Sequence, residues 1–302
     1  QAARAHPEPL QRLLEADGLT EAEQKLSSLN AAFHHDDLYV QVRPGVSVTR
    51  PLRFIRFFSV SAKQALFPMT VITVGAGSTV TIIDEYLSAS GSADEPAAAH
   101  VINGRIELVL ERDASVHYVR LQRWDRSARE FLLQRATLAA GANLTMVNLT
   151  LGSALSKAHI VTKLIGEQAS TKLYGFVFGH DAQHIDQHTL QDHQAPHTTS
   201  DLQYKAALQD QSRMVYTGLI RIAKTAAQTN AFQSNHNLLL VGSHRVYRST
   251  DNGLSYSLIS GDLTTNNSSA QVVYSTITTL EISAADTNTY YVGTDDAKVW
   301  RS

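Results

Sequence analysis

The 302-residue chain contains no cysteine. That excludes disulfides and every thiolate-held metal site within the chain itself, and it leaves the redox compartment open. An excess of charge of one sign is also missing, with 26 Lys and Arg against 28 Asp and Glu and a formal net charge of −2. Without a basic stripe there is no electrostatic case for nucleic acid or for an anionic membrane surface. No run of about 18 apolar residues occurs, so no membrane-spanning helix is expected. The N-terminal QAARAHPEPL lacks the charged-then-apolar order of a signal peptide, and a soluble protein is the reading. Compact catalytic signatures are absent too: there is no G-x-S-x-G elbow, H-E-x-x-H pair or P-loop. Gly75-Ala76-Gly77 reads as a turn, because the helix that a dinucleotide site needs does not follow it. Asp84 and Glu85 are adjacent at a strand end, where neighbours point to opposite faces, so they read as a solvated pair and not as an acid–base couple.

What the sequence does contain is patterned. Thr20 and Glu23 form a T-x-x-E capping box, and Ala22, Leu26, Leu29 and Phe33 follow at helical spacing, which predicts a helix over 21–33 with those four on its apolar face. A shorter helix is expected over 10–16. From Leu38 onward the period changes to two, as in Val40 and Val42, Val46 and Val48, and Val80 and Ile82. Four segments resemble one another: GAGSTVTIIDEY (75–86), ERDASVHYVRLQ (111–122), AGANLTMVNLTL (140–151) and GEQASTKLYGFV (166–177). Each opens with a small or polar turn and runs into an alternating strand. Their starts, 36, 29 and 26 residues apart, suit successive coils of a solenoid, and periodicity alone leaves a β-sandwich equally open.

Histidine is the composition feature that could suggest metal chemistry. Twelve of 13 lie before residue 241, and His180, His184, His188, His193 and His197 fall within eighteen positions. On a helix, a spacing of four would gather three of them on one face. The flanking Gly179, Pro196 and Thr198-Thr199-Ser200 indicate strand and turn instead. Along a strand rising ~3.3 Å per residue, the same spacing separates side chains by about 13 Å. One ion cannot bridge that, so these histidines are read as structural or surface residues and no metal site is assigned.

The stretch 183–240 carries the frame D-x-x-T-x-x-x-H-x-x-P-x-x-x-S-x-x-x-Y-K, filled by Asp186, Thr189, His193, Pro196, Ser200, Tyr204 and Lys205 and continued by Gly218, Ala227, Thr229, Gln233 and Asn237. With this frame and LNAAFHHDDLYVQVRPGV (29–46), the chain resembles the SufB/SufD family of the SUF iron–sulfur cluster assembly system over about residues 10–240. The SufD branch fits better, since SufB-type subunits usually carry cysteines. The resemblance implies a right-handed parallel β-helix and a cytoplasmic, non-enzymatic scaffold that pairs with a SufB-like subunit and contacts the SUF ATPase. It implies an Fe–S cluster on the complex, held largely by the partner because thiolates are the usual ligands. His193 is the weak candidate for a cofactor-binding role because it occupies the frame, with Asp186 as the residue that could orient it.

After Leu240 the composition shifts. Of the last 62 residues 23 are Ser, Thr or Asn, and five of the 11 tyrosines lie there. Ser249-Thr250-Asp251-Asn252-Gly253-Leu254-Ser255-Tyr256 resembles an Asp-box of sialidase- or sortilin-like β-propellers, and VGSHRVYRS (241–249) recurs as VGTDDAKVWRS (292–302), about one blade later. The P-x-L-E-I strand, H-G-A-T segment and helical region with which the resembled family continues are not recognisable, and Leu280-Glu281-Ile282 is taken as a chance echo. The expectation is therefore an all-β chain in three parts: a helical segment (1–36), a SufD-like β-helix (37–240) and an antiparallel blade-like meander (241–302). Its assembly role is expected to be impaired by loss of the family's C-terminal region. Two alternatives remain: a secreted carbohydrate-binding or adhesive protein dictated by the Asp-box part, and a β-helix enzyme acting on polysaccharide, which would need a carboxylate cluster on one lateral face.

Overall fold

The computed structural model describes residues 19–34, 37–58, 64–88 and 100–240, and short segments at 247–248, 257–260, 277–282, 290–294 and 299–301. Two compact units divide the chain, residues 1–238 and 239–302. Among the described residues the first begins with helix α1 (Glu21–Phe33) and continues as strands β1 (Leu38–Val42), β2 (Leu52–Phe58), β3 (Ala65–Leu66), β4 (Met69–Val74), β5 (Thr79–Ser88), β6 (His100–Leu110), β7 (Ser115–Arg123) and β8 (Ala128–Leu138). Strands β9 (Asn143–Thr150), β10 (Leu155–Leu164), β11 (Ser170–Gly179), β12 (His184–His193), β13 (Thr199–Gln209), β14 (Arg213–Ile222) and β15 (Asn230–Leu240) follow.

From β4 onward the chain alternates between two sheets. The first has the order β1-β4-β6-β8-β10-β12-β14 with β3 beside β6, and the second has the order β2-β5-β7-β9-β11-β13-β15. Pairing is parallel. A parallel partner in the same sheet is thus one full coil away, which makes the fold a β-solenoid and removes the sandwich alternative. The four similar segments of the sequence are the corners and strands of β5, β7, β9 and β11, stacked in register: Thr79 lies beside Ser115, Ser115 beside Asn143 and Asn143 beside Ser170.

The corner that precedes the second sheet repeats one device. Gly45, Gly77, Asp113, Gly141, Gln168, His197 and Gln228 all take φ between 57° and 71°. From Gly45 to His197 each donates its N–H to the carbonyl just before the equivalent residue of the next coil, at 2.8–3.3 Å. Hydrogen bonding between coils therefore runs through the corner without a gap. Gly75-Ala76-Gly77 belongs to this device, and Gly77 supplies the left-handed residue there.

Inward positions of β7, β9 and β11 alternate strictly with outward ones, and the inward side chains form one continuous core that includes Ile82, Tyr118, Leu144, Met146 and Leu173. Gly175 on β11 pairs with Tyr204 on β13, and the tyrosine ring fills the space a side chain would need. A Cβ on Gly175 would lie 2.2 Å from that ring.

Helix α1 spans the predicted residues and carries the predicted box: Glu23 Oε2 accepts the Thr20 backbone N–H at 2.8 Å. Its buried face is not the predicted one. Leu29 and Phe33 are 42% and 60% exposed, whereas Glu23, Ser27 and Asn30 are buried against the outer face of the first sheet. There Asn30 Nδ2 donates to the Asn103 carbonyl (2.7 Å), Asn103 Nδ2 donates to the Leu26 carbonyl (2.7 Å), Arg105 donates to Ser27 Oγ, and Glu23 Oε1 meets His159 Nδ1 (2.7 Å). The outward residues of β6 that meet the helix, Asn103 and Arg105, are polar, so a polar helix face satisfies them better than an apolar one could. Burial would raise the Glu23 carboxyl, but the hydrogen bonds from His159 and Thr20 outweigh it and hold its pKa at about 2.

The second unit is antiparallel. Strand β16 (Tyr247–Arg248) pairs with β17 (Ser257–Leu258), and β18 (Ile277–Ile282), β19 (Tyr290–Thr294) and β20 (Val299–Arg301) form a three-stranded meander. The Asp-box stretch 249–256 and the expected helix over 10–16 lie outside the described residues.

Two outcomes follow for stability. Gly175→Ala should lower stability by about 1–3 kcal/mol, because the fully buried Tyr204 ring must move, and an unchanged thermal midpoint would contradict this packing. For Glu23, a pKa below its ordinary 4.5 means that its contribution is complete above that value and is lost as the pH falls from 4.5 towards about 2. Protection of the amides over residues 19–34, measured as exchange relative to the intrinsic rate at each pH, should therefore fall in that window. Glu23→Gln should show the lower protection already at neutral pH, and equal protection in variant and parent would contradict the polar seat.

Candidate functional site

The frame residues of 183–240 occupy three kinds of position. Thr189, His193, Ser200, Tyr204 and Gly218 stand on the inward rows of their strands. Thr189 Oγ1 lies 2.9 Å from Tyr216 Oη, and the Tyr204 and Tyr216 rings are 4.9 Å apart. A Cβ on Gly218 would meet the Gln233 side chain at 1.9 Å, so the glycine and glutamine of the frame are one packing pair. Pro196, Ala227 and Thr229 belong to corners: the Pro196 and Ala227 carbonyls accept the N–H groups of Gln168 and His197, and Thr229 Oγ1 lies 3.1 Å from Thr198 Oγ1. Asp186 and Lys205 face outward.

His193 ends β12 with no solvent exposure. Its Nδ1 is 2.7 Å from Thr198 Oγ1 and its Nε2 is 2.8 Å from Ser200 Oγ, while Ser200 Oγ donates to Gln191 Oε1 at 3.0 Å. With its hydroxyl proton given to Gln191, Ser200 Oγ accepts from Nε2, so the neutral imidazole carries its proton on Nε2. Burial lowers the His193 pKa, with Asp192 opposing the shift, which favours that neutral form. Asp186 does not reach it. The aspartate points out of the same strand seven residues earlier and binds Lys157 Nζ at 2.7 Å. The expected Asp186–His193 orientation is therefore not made, and His193 braces the corner between β12 and β13.

Inside the solenoid lies a set of charges that the sequence reading did not assemble. Asp84, Arg120, Asn148, Gly175 and Tyr204 form one inward column across β5, β7, β9, β11 and β13. Asp84 accepts from Tyr86 (2.7 Å), Tyr118 (3.0 Å) and Arg56 (3.3 Å). Glu130 on β8 pairs with Arg120 and accepts from Trp124 Nε1 (2.8 Å), Ser156 (3.0 Å) and Gln122 (3.2 Å). The guanidinium groups of Arg56 and Arg120 lie 4.8 and 5.0 Å from the centre of the Tyr86 ring. Two acids and two arginines balance, and burial pushes both phenols up so that they stay protonated donors. Asp84 and Glu85 do face opposite ways, but neither is solvated: Asp84 is fully buried and Glu85 is 5% exposed. Arg53 grips Glu85 through two hydrogen bonds of 2.8 and 3.1 Å, and its bonding lowers the Glu85 pKa. The missing signal was the register with β2, which supplies Arg53 and Arg56.

The histidines of 180–197 do not converge on one another. His180 lies against Asp181 (2.7 Å), His184 is exposed, and His197 is a corner residue. His188 does meet another histidine, across strands instead of along one. It is the direct neighbour of His159 on β10, with ring centres 6.2 Å apart, and donor atoms of Glu23, His159 and His188 all lie within 4.8 Å of one another. The spacing of 29 residues is the coil period at this point, the one sequence signal that links the two.

Known proteins resemble much of the chain. An iron–sulfur cluster assembly SufBD family protein of Staphylococcus saprophyticus is 23% identical over 206 residues, which is 68% of this chain and 43% of the relative. One from Mycobacterium leprae is 25% identical over 189 residues, 62% of this chain and 21% of the relative. The chain thus spans less than half the length of these relatives. A family model described as SUF system FeS cluster assembly, SufBD core domain, matches residues 57–248. That match covers more than half of the chain and nearly all of the solenoid, and the chain belongs to the SufBD family of iron–sulfur cluster assembly proteins.

Proposed function

We propose that the chain is a non-enzymatic scaffold subunit of SUF iron–sulfur cluster assembly that works in the cytoplasm with a SufB-like subunit and a SUF ATPase. The observation that carries this reading is the family match over the solenoid from its early coils through β15. Three features support it. The interior charges are paired with one another and sealed from substrates, which suits a rigid support better than a catalyst. The outward carboxylates Asp186 and Asp192 are each held by a cation, Lys157 at 2.7 Å and Arg221 at 2.7 Å. A polysaccharide-active face would instead present free acid and base groups. Both sheets also end in a strand, β14 and β15, and terminal strands are surfaces on which a partner can build.

With no cysteine in the chain, the cluster on the complex takes its thiolates from the partner. His193 is assigned to bracing, since its two ring nitrogens are already satisfied inside the corner.

Co-purification tests the proposal. The full chain, mixed with a SufB-like subunit and the SUF ATPase, should elute with both as one complex. Reconstitution with iron and sulfide should give cluster absorption only when the SufB-like subunit is present. Failure of the folded chain to bind either protein would end the scaffold reading, and cluster absorption on the chain alone would end the assignment of ligands to the partner.

A further inference from the structure

We infer that Glu23, His159 and His188 form a binding site for a divalent first-row transition-metal ion where α1 meets the outer face of the first sheet. This site is independent of the scaffold reading, and none of its three ligands belongs to the frame that identifies the family.

Two imidazoles and one carboxylate are a donor set that suits Zn²⁺ and Fe²⁺, commonly with a further position open to water. Here one donor atom from each residue lies within 4.8 Å of the others. Bonds of about 2.0–2.1 Å in tetrahedral array put donor atoms roughly 3.4 Å apart, so side-chain shifts of about an ångström would close the set. The three residues come from three separate elements, with the helix and the sheet fixing their members independently. Glu23 is held by the capping box through its other oxygen, and His159 and His188 are directly opposed in the β10–β12 ladder.

The ring nitrogens carry the argument further. His159 Nδ1 is bonded to Glu23, but His159 Nε2 is buried with no hydrogen-bond partner. A buried nitrogen left unpaired is costly, which marks the His159 ring as incompletely satisfied. His188 Nε2 lies 3.0 Å from Asp186 Oδ1, at ion-pair distance though off the hydrogen-bond axis. A carboxylate at one imidazole nitrogen orients the ring and leaves the other nitrogen for a metal, the usual outer-shell arrangement. The nearby cations are neutralised: Lys157 by Asp186 at 2.7 Å and Arg105 by Glu107 at 2.8 Å. Beside Glu23 and His159 is a cavity of about 20 Å³, also lined by Ser27, Asn103 and Lys157, which is room for one water.

Calorimetric titration of the full chain with Zn²⁺ tests the site, with Mg²⁺ as the control that imidazole donors should reject. One Zn²⁺ per chain is expected, with at least tenfold weaker binding in His188→Ala. His188 takes no part in the Glu23–His159 contact that seats α1, so this variant should keep the fold, and circular dichroism checks it. Should it fail to fold, His188→Gln is used in its place. Glu23→Gln should weaken Zn²⁺ equally, and Zn²⁺ should slow hydrogen exchange over residues 19–34 in the parent chain alone. Absence of Zn²⁺ binding by the parent, or undiminished binding by the His188 variant, overturns the site.

Discussion

A single coil of this solenoid has nowhere to bury its apolar side except against the next coil, so the backbone must repeat its path from turn to turn without drift. Straight strands do this easily, since a parallel ladder carries the register along. Corners are harder, because they must reverse direction and still present N–H and C=O groups to the same neighbours. At the corner that precedes the second sheet a left-handed residue in each coil solves the problem, and four of the seven are not glycine: Asp113, Gln168, His197 and Gln228. That conformation costs a non-glycine residue roughly 1–2 kcal/mol, so it persists only where the surroundings fix it. Here the hydrogen bond from the left-handed N–H to the next coil does so from Gly45 to His197, and His193 with Thr198 and Ser200 adds side-chain bracing at the His197 corner.

Faithful repetition turns sequence into columns, and columns make a charged interior workable. Buried ions lose several kcal/mol of solvation each, and they recover it only where partners and remaining hydrogen bonds are all in place. Asp84, Arg120 and Glu130 have those partners because β5 and β7 run in register and β8 faces them across the core. A slip of one residue in β7 would turn Arg120 outward and leave both acids short of a partner. The network thus acts against misregister more than it adds stability, and its aromatic members, Tyr86, Tyr118 and Trp124, fill volume while donating to the acids.

Local features were legible in the sequence. The capping box gave the span of α1, and the turn-plus-alternation segments marked the strands of the second sheet with their coil spacing. The frame around His193 pointed to the family, although its residues prove to be corner braces and packing pairs. Features that depend on register between distant residues were not legible. The seat of α1 was misread because helical periodicity finds an apolar face, whereas the groups that receive this helix, Asn103, Arg105 and His159, are polar and lie 73 to 136 residues away in sequence from their partners. Asp84 and Glu85 were misread as solvated for the same reason, since Arg53 and Arg56 belong to the preceding coil. Spacing along one strand correctly separates His184 from His188 but is blind to His159 in the coil before.

The polar seat of α1 has a consequence for what the outer face of the first sheet can do. An apolar seat tolerates sliding and rotation, because hydrophobic contact is non-directional. Hydrogen bonds lose strength steeply away from their preferred geometry. Glu23, Ser27 and Asn30 engage sheet groups at three heights along the helix, so α1 is held at a single rotation and its carboxylate is delivered to one place, beside His159. Sheet register delivers His188 to the same place with no reference to the helix. Two independent constraints therefore converge on one point of the surface, and that is the condition a small set of ligating side chains needs in order to be preorganised.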